Sequence, residues 1–114
     1  MAFTAPLLPG TSEAGRAFIA DAFSRADMTR SRRAWRHNVE VVTITSTPMG
    51  DIAAVYLEGD DPFAGNAAFA ASDDPFDVWF KAELAKLFPP FIDFSQPVPG
   101  VTEIFDSAPL LPLA

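Results

Sequence analysis

The sequence predicts a small two-layer α+β domain, and two stretches carry most of that prediction. Thr47-Pro48-Met49-Gly50-Asp51-Ile52-Ala53-Ala54-Val55-Tyr56-Leu57-Glu58 reads as the end of one strand, a tight turn and a second strand. Ser72-Asp73-Asp74-Pro75-Phe76-Asp77-Val78-Trp79-Phe80 reads as a sharply capped helix start with an aromatic stripe. A hairpin beside an amphipathic helix is the minimal unit of such a domain. The 114 residues, 49% of them apolar, are the right size and composition for one domain spanning 1–114.

Taken in order, Ala2 to Leu8 is expected to be a short first strand, which Pro6 restricts to an edge or ends early. Pro9-Gly10 is a turn, after which Thr11 or Ser12 caps a helix with Glu13 in its first turn. That helix is expected from about residue 12 to about 28 or slightly beyond, because Gly15, Ile19, Ala22, Phe23 and Ala26 share one side. The charged stretch from Thr29 to Arg36 has no clear assignment. Val39 to Thr47 is the clearest strand, dominated by β-branched residues. Pro48 to Asp51 form the turn, and Ile52 to Glu58 return. Val39, Val41, Thr43 and Thr45 share one face of the first strand, and Ile52, Ala54 and Tyr56 one face of the second; the opposite faces are also mostly apolar. A two-layer domain covers one sheet face with its own helices. The other is expected to meet a second sheet, most simply that of another copy.

Two Asp-Pro pairs then start two helices. Asp61 caps a short one with Pro62 at its first position, and Ser72-Asp73 breaks it. Asp74-Pro75 opens the next, whose Phe76, Trp79, Phe80, Leu84 and Leu87 recur at helical spacing until Pro89-Pro90. The last stretch, 90–114, is rich in Pro yet keeps Phe91, Ile92, Phe94, Val98, Val101, Ile104, Phe105, Leu110 and Leu111. It is expected to be an ordered apolar arm on this subunit or its neighbour, with a strand near Val101 to Phe105.

The resulting order, strand, helix, strand, strand, helix, strand, is the ferredoxin-like βαββαβ arrangement. Pro9-Gly10, Thr47-Pro48-Met49-Gly50-Asp51, Val55-Tyr56-Leu57-Glu58, Asp61-Pro62 and Ser72 to Phe80 together resemble small uncharacterised bacterial proteins of the dimeric α+β barrel superfamily, over roughly residues 5–90. The resemblance implies two ferredoxin-like sheets packed face to face as a homodimer, with a cleft between each sheet and its helices. It also implies a range of activities, from cofactor-free monooxygenases of aromatic polyketides to haem degraders. The haem degraders pair a His with Trp and Asn, types present here as His37, Asn38 and Trp79, but their His lies elsewhere in the pattern and no role is carried over.

Charge and composition exclude several classes. A net charge of −7 disfavours nucleic acid and anionic membranes as partners. The charge is uneven, because six Arg and the acids Glu13, Asp21 and Asp27 fall within residues 1–36, whereas the remaining twelve acids meet only Lys81 and Lys86. Arg30, Arg32, Arg33 and Arg36 form the one basic cluster; a solvated helix end is its plain explanation and an anion or self-association site the sharper one. With no Cys and one His, disulfides and thiolate metal sites are excluded, and no metal or cofactor is expected. No stretch has the form of a signal peptide or of a span of ~20 apolar residues, so a cytoplasmic location is the default.

No motif identifies a reaction. Eleven Phe, two Trp and one Tyr are many rings for this length, so either the core is unusually aromatic or some rings face a ligand or partner. Tyr56, Phe76, Trp79 and Phe80 are the candidate ligand-binding residues, provided that Tyr56 faces the helices. His37 and Tyr56 are weak candidates for proton transfer; nearby Arg residues disfavour a charged His37. Asp73, Asp74 and Asp77 are acidic neighbours, two of them explained by capping and the helix dipole. Trp35, set among Arg residues, is expected to stack under a guanidinium. Three functions are compatible with this pattern. The first is a homodimeric module binding a small apolar or aromatic molecule between sheet and helices. The second is a cofactor-independent monooxygenase- or isomerase-like enzyme on an aromatic substrate. The third is a non-catalytic dimeric interaction protein.

Overall fold

The computed structural model describes residues 1–106. Three strands and four helices follow in the order β1 (Ala2–Pro6), α1 (Ser12–Phe23), α2 (Ala26–Ala34), β2 (His37–Thr47), β3 (Gly50–Gly59), α3 (Pro62–Ala71) and α4 (Pro75–Ala85). The strands form one antiparallel sheet in the order β1-β3-β2. This is the α+β architecture expected from the sequence. Ala2 pairs with Tyr56 and Pro6 with Ile52 across β1 and β3, while Tyr56 also faces Val41 of β2. Pro6 ends an edge strand, where its missing N–H disturbs no ladder.

The hairpin closes where expected. Thr47 opposes Gly50 across a two-residue turn, and Gly50 holds φ at 119°, a value open to glycine. The Thr47 hydroxyl donates to the Gly50 carbonyl at 2.7 Å and accepts from the Met49 N–H at 3.2 Å. Both Asp-Pro pairs act as read: the Asp61 carboxylate accepts from the Ala64 N–H at 3.1 Å and that of Asp74 from the Phe76 N–H at 3.0 Å.

The helix expected from 12 to about 28 is instead two helices. Arg25 is extended, with ψ at 139°. The Ser24 N–H and hydroxyl both donate to the Asp21 carbonyl, at 3.1 and 2.7 Å, and so finish α1 early. The break lets Met28 join Ala22, Phe76 and Phe80 in a buried cluster. Thr11 precedes α1 without capping it; its hydroxyl donates to the carbonyls of Leu8 and Leu87 and ties the β1–α1 turn to the end of α4. The strand expected at 101–105 is not formed, because those residues pair with no strand. Leu110 and Leu111 of the expected arm lie outside the described residues.

The core has two parts on one side of the sheet. Ala5, Leu7, Ala53, Leu87 and Phe88 form one, with Phe18, Ile44, Leu84, Ile92 and Phe94 packed against it. The other is aromatic: Phe80 meets Phe18 at 5.3 Å, Phe69 at 6.1 Å and Phe76 at 6.2 Å between ring centroids. Much of the ring content is thus core, in tilted, edge-on and stacked contacts. Strand alternation leaves Ala2, Thr4, Val41, Thr43, Thr45 and Tyr56 on the opposite side, exposed.

Candidate functional site

The residues singled out in the sequence separate into three places. Tyr56 lies on the open sheet face, 43% exposed, while its neighbour Leu57 is buried on the helix side. Its hydroxyl donates to Glu58 Oε2 at 2.7 Å, and that bond, with the nearby carboxylates of Glu58, Asp106 and Glu103, raises its pKa above the usual phenol value. Around its ring, Ala2, Thr4, Thr43 and Ala54 are small, so the face has a shallow hollow there, continued by Phe3, Val41 and Val55.

Phe76 and Phe80 lie within the aromatic core, and Trp79 packs at its edge, 5.6 Å from Phe76 and 5.5 Å from Phe18. The Arg25 guanidinium lies over the Trp79 ring at 4.3 Å. Stacking under an Arg therefore falls to Trp79, whereas the Trp35 indole nitrogen is buried without a hydrogen-bond partner. Trp79, Phe76 and Pro75 line an open cleft with Arg25, Asp27, Arg30 and Asp74. Within it Arg30 binds Asp74 at 3.1 and 3.3 Å and Asp27 at 3.5 Å. The Arg30 hydrogen bond holds the Asp74 carboxyl below the usual range. The structure thus does not bring Tyr56 together with Phe76, Trp79 and Phe80. Both faces of β3 are apolar in sequence, so the side Tyr56 takes is decided by packing of Ala53 and Leu57.

His37 opens β2 and is buried. Its Nε2 points at Gly65 of α3, so closely that a Cβ on residue 65 would stand 2.4 Å from it. Neither ring nitrogen completes a hydrogen bond. Burial, then the Arg32 charge, lowers its pKa below 6.5, against smaller opposing effects of Glu40 and the Pro62 carbonyl. The ring is therefore neutral near pH 7, and no carboxylate hydrogen-bonds to it to orient it. His37 faces the helices and Tyr56 the open side, so the two candidate proton-transfer groups do not share a site.

Three polar arrangements were not legible in the sequence. Arg32 is no solvated member of its cluster: its Nε donates to Glu40 at 2.8 Å, with the two side chains 12% and 10% exposed. Its guanidinium lies 4.8 Å from the Phe69 ring, 5.1 Å from Phe80 and 5.9 Å from Phe23. Asp77, which reads as a dipole partner of α4, is buried and accepts from the hydroxyls of Ser31 at 2.5 Å and Ser72 at 2.8 Å. It therefore joins α2, the α3–α4 connection and α4. Lys81 donates to the carbonyls of Phe69, Ala70 and Ser72 at 3.0, 2.8 and 2.9 Å, which satisfies the end of α3 from α4. These are structural uses of charge.

Among the described residues, no group of three or more His, Asp or Glu is placed to hold a metal ion, and no helix is long and apolar enough to cross a membrane. No family model, curated protein or solved structure matches the chain.

Proposed function

We propose that the chain is a homodimeric interaction module that pairs through its open sheet face. The carrying observation is that face itself. Val39, Val41 and Tyr56 stand exposed there among Ala54, Thr43 and Thr45, on the side that none of the two core clusters reaches. A three-stranded sheet covered by helices on one side is half of a sheet-on-sheet sandwich, and a second copy supplies the other half at about 10 Å. The placement of β3 between β1 and β2 supports the ferredoxin-like reading. Sedimentation equilibrium tests the proposal. A dimer is expected, and Val41→Arg, at an exposed position 47% open to solvent, is expected to give a folded monomer. A wild-type chain that stays monomeric to high micromolar concentration overturns it.

The hollow beside Tyr56 favours a second reading, in which the dimer shelters a small apolar or aromatic molecule. This relocates the ligand from between sheet and helices to between the two sheets. Native mass spectrometry, compared with the denatured sample, tests it. A mass released from the dimer supports the reading, and a bare dimer leaves the interaction module alone. An enzyme acting through both His37 and Tyr56 has no support in this geometry, since the two lie on opposite sides of the sheet.

A further inference from the structure

The open sheet face is small for the interface proposed above. At about 4.8 Å strand spacing, the five residues of β1, eleven of β2 and ten of β3 present a footprint of only about 400 Å². A stable interface buries about 800 Å² per partner. A second apolar surface stands beside it. Ile104 is 93% exposed and Phe105 71% exposed, in a segment that forms no helix or strand. Phe105 alone retains more than ~100 Å² to bury, and Ile104 nearly all of its side chain.

The same segment already lies by the sheet. Val98 is held at α3, its N–H donating to Asn66 Oδ1 at 3.0 Å. Farther on, the carboxylates of Glu103 and Asp106 are close enough to the Tyr56 hydroxyl to act on it. The chain therefore runs from α3 toward the neighbourhood of Tyr56, and Ile104 and Phe105 stay exposed. Among the described residues of one copy, these two side chains cover little. Across a pair of copies they supply most of the missing area.

We infer that residues 101–106 form a clamp on a second copy of this chain, with Ile104 and Phe105 packing on the partner's sheet face about its Tyr56. The inference rests on the dimer proposed above and adds the segment that makes the dimer stable. It commits to the second copy because the apolar pair is exposed where its own strand face ends.

Sedimentation equilibrium on the full chain and on the double variant Ile104→Ser/Phe105→Ser separates the outcomes. Both positions are exposed, so the variant is expected to fold, with an unchanged far-UV circular dichroism spectrum. It is expected to dimerise at least about tenfold more weakly, as loss of a large apolar interface contact does. A wild-type dimer with an unchanged variant dissociation constant overturns the clamp and leaves the dimer standing. Tighter association of the variant overturns it too, since the segment would then be shielding its own face. A monomeric wild type removes both. As an independent readout, p-benzoylphenylalanine at position 105 is expected to photocrosslink between chains; crosslinks confined within one chain overturn the inference.

Discussion

Breaking the Arg32–Glu40 pair is expected to cost far more than breaking any other ion pair of the described residues. The two groups meet at 2.8 Å with side chains 12% and 10% exposed, whereas Arg36–Asp60 meets at the same distance with 76% and 69% exposed. An exposed pair contributes about 0–1 kcal/mol. Removing one partner of a buried pair costs about 3–5 kcal/mol, because the other charge is left without compensation. Arg32→Met also gives up the contacts with Phe23, Phe69 and Phe80, of order 0.5–2 kcal/mol. Against a total stability of about 5–15 kcal/mol, either Arg32→Met or Glu40→Leu alone removes a large fraction. With a urea m-value of about 2 kcal/mol/M, the midpoint falls by about 2 M. The double variant Arg32→Met/Glu40→Leu replaces the pair by apolar groups of similar volume and is expected to return to within about 1–2 kcal/mol of wild type. The assay is a double-mutant cycle in urea, followed by circular dichroism, with a coupling of at least about 2 kcal/mol expected. Single losses below about 1 kcal/mol that simply add would refute the argument, since the pair would then behave as one screened by water.

Three further outcomes follow from the same structure. Gly65→Ala is expected to destabilise by about 1–3 kcal/mol, because its Cβ would meet His37 Nε2 at 2.4 Å and the Trp35 carbonyl at 2.7 Å; adding His37→Ala relieves only the first clash, and thermal melts of the two variants check the partial rescue. His37 titrates below 6.5 in the folded chain, so as pH falls through 6.5 the unfolded chain takes up the proton first and stability drops until the folded ring also protonates. With one His in the sequence, a single NMR imidazole resonance reads its pKa directly, and a midpoint at or above 6.5 sinks the assignment. Lys81→Met leaves three carbonyls at the end of α3 without their ammonium. Hydrogen exchange is expected to speed up in the last turn of α3 with little change in β3; uniform exchange across the chain would contradict it.

The parts legible in the sequence were those set by local chemistry. Asp61-Pro62 and Asp74-Pro75 declare helix starts because cap and first-turn geometry need only adjacent residues. Val39 to Thr47 declares a strand through its β-branched side chains. What depended on distant contacts was hidden. The break at Ser24 and Arg25 looks like continuous helix until Met28 finds its place beside Phe80. Glu40 reads as an ordinary polar strand position, and only the fold reveals Arg32 above it. Tyr56 could face either way because both sides of its strand are apolar. The apolar pattern at 101–105 suggested a strand, yet apolar residues alone do not supply a ladder partner.

The Lys81 arrangement also makes the chain's amines chemically unequal. The sequence has two lysines, Lys81 and Lys86. One nitrogen is engaged by three carbonyl oxygens; the other, among the described residues, reaches only Glu83, at 2.8 Å, on a side chain 69% exposed. An acylating reagent needs an accessible amine, which Lys86 offers far more often. Under limiting reagent, this protein therefore carries its own lysine-selective attachment point at the end of α4, for a dye or a surface, on the side away from the sheet face where copies are proposed to meet.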